Sequence, residues 1–183
     1  MNRERVADAA EFRRLFENLV EQLMRSGLDE RCALVGIERR GVVLARRLKE
    51  RIRERSSLDL ALGSVDITLY RDDLSLSPPH PILHKTEIAF DVNGKRIILV
   101  DDVLFTGRTV RAAISAILDF GRPAQIQLLV LVDRGNRELP IQADFVGLKM
   151  ETNKEDMVEV LVKELDGRDC IDCIRVRRGG MEA

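Results

Sequence analysis

Two adjacent carboxylates, Asp101 and Asp102, directly follow an apolar run at positions 97–100 (IILV). A turn of mostly small polar residues comes next at positions 106–109 (TGRT), and a helical pattern begins behind it. Backbone N–H groups and threonine hydroxyls in such a turn can bind phosphate oxygens, aided by the positive end of the helix dipole. Carboxylate oxygens can accept hydrogen bonds from sugar hydroxyls. The stretch therefore predicts a site for a phosphorylated sugar.

This chemistry needs a strand, a loop and a helix in that order. The run at 97–100 predicts a short buried strand, because charged residues flank it on both sides. Apolar residues then recur at helical spacing from Val110 to Leu118, and Gly121 followed by Pro123 predicts the end of the helix. The order that a phosphate loop requires is thus present in the sequence.

A second candidate anion site lies earlier in the chain. Residues 32–37 (CALVGI) predict a buried strand and residues 41–53 a helix, joined by the turn 38–41 (ERRG). Arg39 and Arg40 place positive charge at the start of that helix, which suits a diphosphate. A substrate that carries two phosphate groups needs two such sites. Each turn therefore strengthens the prediction that the other binds an anion.

The remaining pattern predicts an α/β fold, with one domain over residues 1–183 and a central parallel sheet flanked by helices. A polar, proline-rich segment at about 71–86 predicts a lid loop, and residues 87–91 are expected to form a hairpin with the central strand through Asn93-Gly94. The first helix is expected over residues 8–26. Other strands are expected at 62–70, 126–132 and 145–148, and a closing hairpin at 157–165 and 170–176.

Composition excludes several classes of protein. The net charge is −1, so a nucleic-acid role would need a local basic patch. The charged N-terminus and the lack of a long apolar run predict a cytoplasmic protein that does not use a membrane. The three cysteines predict no disulfide framework, and no protein metal site is expected. The sequence contains neither GxxxxGK[ST] nor GxGxxG, which disfavours a nucleotide hydrolase and a dinucleotide-binding enzyme.

Four segments carry a resemblance to a known family. They are VGIERRGVVLARRL from Val35, VDITLYRDD from Val65, VDDVLFTGRTVRAA from Val100 and GRPAQIQLLVLVDRGNRELPIQADFVG from Gly121. The third segment resembles the phosphoribosyl-diphosphate loop of type I phosphoribosyltransferases. The fourth is more specific, and with it nearly the whole chain resembles the PyrR family, pyrimidine-operon attenuators that are also uracil phosphoribosyltransferases.

The resemblance implies transfer of a 5-phosphoribosyl group from phosphoribosyl diphosphate to uracil, giving UMP and diphosphate. It also implies Mg²⁺ held mainly through the substrate diphosphate, a homodimer or larger homo-oligomer, pyrimidine-operon leader RNA as a partner, and a base-covering hood at about 133–160. Asp102 and Arg71 would be catalytic. The substrate-binding residues would be Asp101 and Asp102 at the ribose, Thr106, Gly107, Arg108 and Thr109 at the 5-phosphate, Arg39 and Arg40 at the diphosphate, and Asn136 and Val160 near the base. Val103, Leu104 and Phe105, between the aspartates and the phosphate residues, would also bind the substrate.

Departures from the family pattern bear on the RNA role. Family members usually carry histidine, arginine and lysine where this chain has Asn136, Gln142 and Leu148, and the first helix here carries Glu17 and Glu21. Each lost cation removes a phosphate contact and each glutamate repels RNA, although the family's basic pattern persists at positions 13, 14 and 137. Two alternatives to the uracil enzyme stay open. One is an RNA-binding, UMP-sensing attenuator with minor catalysis, and the other is a phosphoribosyltransferase for another base such as hypoxanthine.

Overall fold

The computed structural model describes residues 2–70 and 86–176. Nearly all of the predicted lid, including Arg71 and both histidines, lies outside the described residues. The elements in chain order are β1 (Asn2–Ala7), α1 (Ala9–Arg25), β2 (Cys32–Ile37), α2 (Arg40–Ser56), β3 (Ala61–Val65), β4 (Arg96–Leu104), α3 (Arg108–Leu118), β5 (Gln125–Asp133), β6 (Phe145–Lys149), β7 (Met157–Leu161), α4 (Lys163–Asp166) and β8 (Cys170–Arg175).

Five strands form one parallel sheet in the order β3-β2-β4-β5-β6. Parallel strands covered on both faces need continuous apolar runs, and β2 is accordingly buried at every position. One core cluster packs α1 and α2 against the sheet, and a second packs α3 against it. The predicted α/β fold class is therefore confirmed.

Helix α1 begins and ends where the apolar spacing predicts. The Asp8 carboxylate caps it by accepting hydrogen bonds from the backbone N–H groups of Ala10 and Glu11, both at 2.9 Å. Its apolar stripe is buried against the sheet, with Leu23 fully inaccessible. No helix among the described residues is long and apolar enough to cross a membrane.

A second, three-stranded antiparallel sheet has the order β1-β8-β7. Its β7–β8 pair confirms the predicted closing hairpin, although a short helix, α4, replaces the predicted end of the first strand. Strand β1 is not predicted, because four of its six residues are exposed and the sequence shows no apolar alternation there. Its Arg3 and Arg5 pair with Asp172, a fully buried carboxylate of β8.

Three further predictions about the strands are wrong. The strand predicted at 62–70 ends at Val65, since Asp66 accepts a hydrogen bond from the backbone N–H of Thr68 at 2.8 Å and starts a turn. Residues 87–91 form no hairpin with β4; Glu87 instead bridges Ser64 of β3 through two backbone hydrogen bonds. Strand β4 runs to Leu104, so the two central aspartates lie within the strand and not after it.

Candidate active site

The carboxyl ends of β2, β4 and β5 meet at one edge of the parallel sheet, where ligands of open α/β folds bind. The turn after β2 carries Arg39 and Arg40, and the loop after β4 carries the sequence at 105–109. The segment after β5 runs from Arg134 to Ile141 and folds back onto that loop. The structure thus gathers most of the sequence-predicted residues at one place.

Two glycines allow the start of α2 to pack closely, Gly41 against β4 and Gly36 of β2 against the first turn of α2. A Cβ atom at Gly41 would collide with the carbonyl oxygen of Val100, and one at Gly36 would lie 2.6 Å from the backbone nitrogen of Val42. Only residues without a side chain permit this approach. The peptide bond between Glu38 and Arg39 is cis. The close approach brings the start of α2 beside the aspartates of β4.

Arg40 and Asp102 line the same cavity, which has a volume of about 170 Å³ and is closed on another side by β7. Arg39 is exposed at the start of α2. Val160 also borders the cavity, although its side chain is buried in the core. One cation and one carboxylate of the predicted set therefore meet across a space open to a small ligand.

The two aspartates of β4 have different surroundings. Asp101 is buried and accepts the backbone N–H of Asp102 at 2.9 Å, whereas Asp102 is partly exposed and accepts that of Val103 at 3.0 Å. Burial and the neighbouring Asp102 hold the pKa of Asp101 well above its ordinary value. Asp102 is therefore the more accessible of the two carboxylates to a ligand.

We expect Asp101→Asn to raise the thermal unfolding midpoint at neutral pH. Because the folded-state pKa of Asp101 is raised, its contribution to stability is fully present below the ordinary carboxyl pKa and is lost as pH rises towards the folded value. The amide keeps the hydrogen bond to Asp102 and does not titrate. The advantage of the variant should therefore grow as pH rises from about 4. Unfolding midpoints of both proteins over a pH series check this, and a difference that does not change with pH would contradict it.

The predicted phosphate loop bends at residues 105–107 and leads into α3. Gly107 has a φ of 92°, which favours glycine, and the Thr106 hydroxyl accepts the backbone N–H of Arg108 at 3.3 Å. Thr109 lies in the first turn of α3, so backbone donors and the helix dipole face this bend. Leu104 differs from its neighbours in the predicted substrate-binding stretch. Its side chain is buried in the core, and only its backbone borders the loop.

Arg137 holds this loop in place, although the sequence assigns it only to the basic pattern of the family and not to the substrate site. Its guanidinium donates to the carbonyl oxygens of Phe105 at 2.8 Å and Ile141 at 2.9 Å, and it pairs with Asp133 at 2.6 Å. The carbonyl of Thr106 also accepts two backbone N–H groups from the same segment. The sequence signal is only a polar run after a buried strand, which does not reveal these contacts.

Asn136 connects the segment after β5 to Thr152, further along the chain. It has a φ of 57°, and its amide nitrogen donates to the carbonyl oxygen of Thr152 at 2.8 Å. Thr152 also accepts from the buried Arg134, whose guanidinium lies 3.9 Å from the ring centroid of Phe105. A larger cavity of about 510 Å³ lies next to this connection and is lined in part by Arg137. The amide nitrogen of Asn136 is thus occupied within the protein, and its role near a base stays a prediction.

Comparison with known proteins first identifies the class of protein to which the chain belongs. Residues 2–164 match the family described as the phosphoribosyl transferase domain. Among solved structures, a hypoxanthine phosphoribosyltransferase from Trypanosoma cruzi aligns with a TM-score of 0.71 and 17% identity, covering 93% of this chain and 94% of that one. One from Staphylococcus aureus gives a TM-score of 0.67, 17% identity and coverage of 92% and 90%. These structures show the fold, and the chain belongs to the phosphoribosyltransferases.

Curated relatives narrow the class to one family. The bifunctional protein PyrR of Caldicellulosiruptor bescii is 53% identical over 88% of this chain and 89% of its own length. That of Elusimicrobium minutum is 48% identical over 91% and 93%. The chain therefore belongs to the family of the bifunctional protein PyrR, which confirms the resemblance stated from its motifs.

Proposed function

We propose that this chain transfers a 5-phosphoribosyl group from phosphoribosyl diphosphate to uracil, giving UMP and diphosphate. The observation that supports this most is the meeting of Arg40 and Asp102 across one cavity, at the sheet edge that also carries the loop at 105–109. A donor with a ribose between two phosphate-bearing groups needs these three features in this order. The choice of uracil rests on the PyrR family, since the described contacts do not distinguish among bases.

In this proposal the residues at the sheet edge bind different parts of the donor. Asp102, with Asp101 behind it, accepts hydrogen bonds from the ribose hydroxyls, while the backbone and hydroxyls at 105–109 bind the 5-phosphate. Arg39 and Arg40 bind the diphosphate. As the bond from C1 of the ribose to the diphosphate breaks, positive charge develops on the sugar, and the carboxylate of Asp102 stabilises it. The nitrogen of uracil then bonds to C1, and the proton that it loses is released to the solvent with the products.

The residues present fit a Mg²⁺ ion that is held largely by the substrate. Among the described residues, no three carboxylate, histidine or cysteine side chains are placed to enclose a metal. One accessible carboxylate, Asp102, beside a diphosphate site matches the preference of Mg²⁺ for one or two carboxylates, substrate phosphates and water. When bound, Mg²⁺ would neutralise charge on the diphosphate, with Asp102 as the accessible protein ligand.

Further parts of the proposal rest on the sequence patterns and the family resemblance. These are the catalytic role of Arg71, the lid at about 71–86, the hood at about 133–160 with Val160 near the base, the single domain over 1–183, assembly as a homodimer or larger homo-oligomer, and a cytoplasmic location.

A second candidate function is UMP-dependent binding of pyrimidine-operon leader RNA, which the bifunctional character of the relatives favours. The described charges give it a narrow basis. The guanidinium of Arg137 is engaged within the protein by Phe105, Ile141 and Asp133. Arg14 pairs with Glu11 at 2.6 Å. Glu17, expected to repel RNA, is instead neutralised by Arg51 and Arg55. The outer face of α1 therefore offers less charge of either sign than its sequence indicates.

One pair of assays tests both candidates. Turnover is measured with uracil and with hypoxanthine as acceptors, and binding to a leader RNA is measured with and without UMP over a salt series. We expect turnover with uracil only and weak RNA binding. Turnover with hypoxanthine would contradict the base assignment. UMP-dependent RNA binding with a steep salt slope would show that the regulatory function is strong in this chain.

A further inference from the structure

Arg40 is held in place by a carboxylate from the small sheet. Its Nε donates to Oδ2 of Asp166 at 3.2 Å, and its Nη2 donates to Oδ1 of the same residue at 2.8 Å. Asp166 ends α4 and lies 126 positions further along the chain. A bidentate pair of this kind fixes both the position and the plane of the guanidinium.

Asp166 is itself well fixed. Its Oδ2 accepts the backbone N–H of Val162 at 2.8 Å, and its own N–H donates to the carbonyl oxygen of Val162 at 2.7 Å. Burial acts to raise the pKa of Asp166, but the hydrogen bonds from Val162 and Arg40 outweigh it and lower that pKa. The carboxylate is therefore charged at neutral pH, and it holds Arg40 from a short, rigid turn.

The pair leaves one edge of the guanidinium available. Within the described part of the chain, Nη1 of Arg40 has no hydrogen-bond partner, and the residue lines the cavity that it shares with Asp102. We propose that Asp166 is a positioning residue for the diphosphate, because it holds Arg40 beside Asp102 with Nη1 ready to donate. This inference rests on the proposed function, in which Arg40 binds the diphosphate.

A different role for Asp166, as a mere counter-charge to Arg40, predicts the opposite effect on diphosphate binding. A carboxylate that acted only as a counter-charge would weaken the binding of an anion to Arg40, so its removal would strengthen diphosphate binding. A carboxylate that positions Arg40 has the reverse effect, because the freed arginine must lose side-chain freedom each time that it binds. The direction of the change in affinity therefore separates the two roles.

The same short helix provides a matched control. Glu164 of α4 pairs with Arg47 of α2, which Asp169 also binds at 2.8 Å. Glu164→Gln therefore weakens the contact between α4 and α2 without touching Arg40. If Asp166 only held α4 against α2, Asp166→Asn and Glu164→Gln would have similar effects on the site.

The experiment measures binding of inorganic diphosphate with Mg²⁺ by calorimetry, together with KM for the donor and for uracil. We expect Asp166→Asn to weaken diphosphate binding and raise the donor KM by about tenfold, as the loss of one orienting charged pair does. Asp166→Glu, which keeps the charge on a longer side chain, should lose about threefold, and Glu164→Gln should bind as the wild type does. The KM for uracil should stay within about twofold in all three. In an Arg40→Ala background, Asp166→Asn should have no further effect.

The outcomes separate this inference from the proposed function. Weaker diphosphate binding in the Asp166 variants but not in Glu164→Gln, with no added loss when Asp166→Asn is made in the Arg40→Ala background, supports the positioning role. Unchanged or tighter binding in both Asp166 variants, or an equal loss in Glu164→Gln, overturns it and leaves the proposed function intact. If the wild-type protein binds no diphosphate, the donor site of the proposed function fails, and the inference fails with it. Thermal unfolding confirms that each variant is folded, and Asp166→Glu carries the test if Asp166→Asn is not.

Discussion

Asp102→Asn is expected to lower kcat/KM for the donor by about 10²- to 10³-fold, the loss typical of removing one preorganised electrostatic group. Asp102 lines the cavity that Arg40 also lines and is the more accessible of the two aspartates of β4. An amide of the same shape keeps an oxygen that can accept the backbone N–H of Val103, which lies 3.0 Å away. The fold should therefore be retained while the charge that stabilises the developing cation is lost. Steady-state kinetics with varied donor check this.

Asp144→Asn is the matched control for this prediction. Asp144 also accepts a backbone hydrogen bond, from Leu128 of β5 at 2.8 Å, but it lies away from the cavity. We expect this variant to turn over at close to the wild-type rate. Similar losses in the two variants, or normal turnover in Asp102→Asn, would refute the assignment of Asp102 as the ribose carboxylate.

The sequence predicts the central sheet well because its strands are buried on both faces. Continuous apolar runs such as CALVGI have few other stable placements, and β2 matches its predicted bounds at both ends. Strand β1 escapes prediction for the converse reason. It is a mostly exposed edge strand whose arginines, Arg3 and Arg5, are placed by a buried carboxylate far along the chain. A local pattern contains no information on such a partner.

The candidate site likewise contains some features that the sequence predicts and others that it does not. The strand, loop and helix around Asp102 follow from neighbouring residues, so the motif alone predicts their order. The difference between Asp101 and Asp102 does not follow from it, because burial depends on what other elements pack against β4. The contact between Arg40 and Asp166 joins residues 126 positions apart. Such tertiary pairs determine which charges are available to a ligand, and only the folded structure reveals them.

Gly41→Ala should impair both stability and catalysis, although alanine is the better helix former. A Cβ at this position would collide with the carbonyl oxygen of Val100 and lie 3.3 Å from the Cα of Asp101. Neither backbone atom can move without disturbing β4, so the start of α2 must shift outward and carry Arg40 away from Asp102. We expect a loss of about 1–3 kcal/mol in unfolding free energy from overpacking. A misplacement of about 1 Å can lower the rate by about 10²-fold.

Gly27→Ala is the control that separates a loss of stability from a loss of catalysis. Gly27 has a φ of 76°, a Cβ added there would have no atom within 4 Å, and the residue lies at the opposite end of the sheet, next to the start of β2. Alanine there should cost about 1 kcal/mol through backbone strain alone and leave turnover unchanged. Denaturant unfolding and donor kinetics on both variants give the comparison. If Gly41→Ala loses stability but keeps its donor kinetics, the close contact between α2 and β4 supports the fold without setting the distance between Arg40 and Asp102.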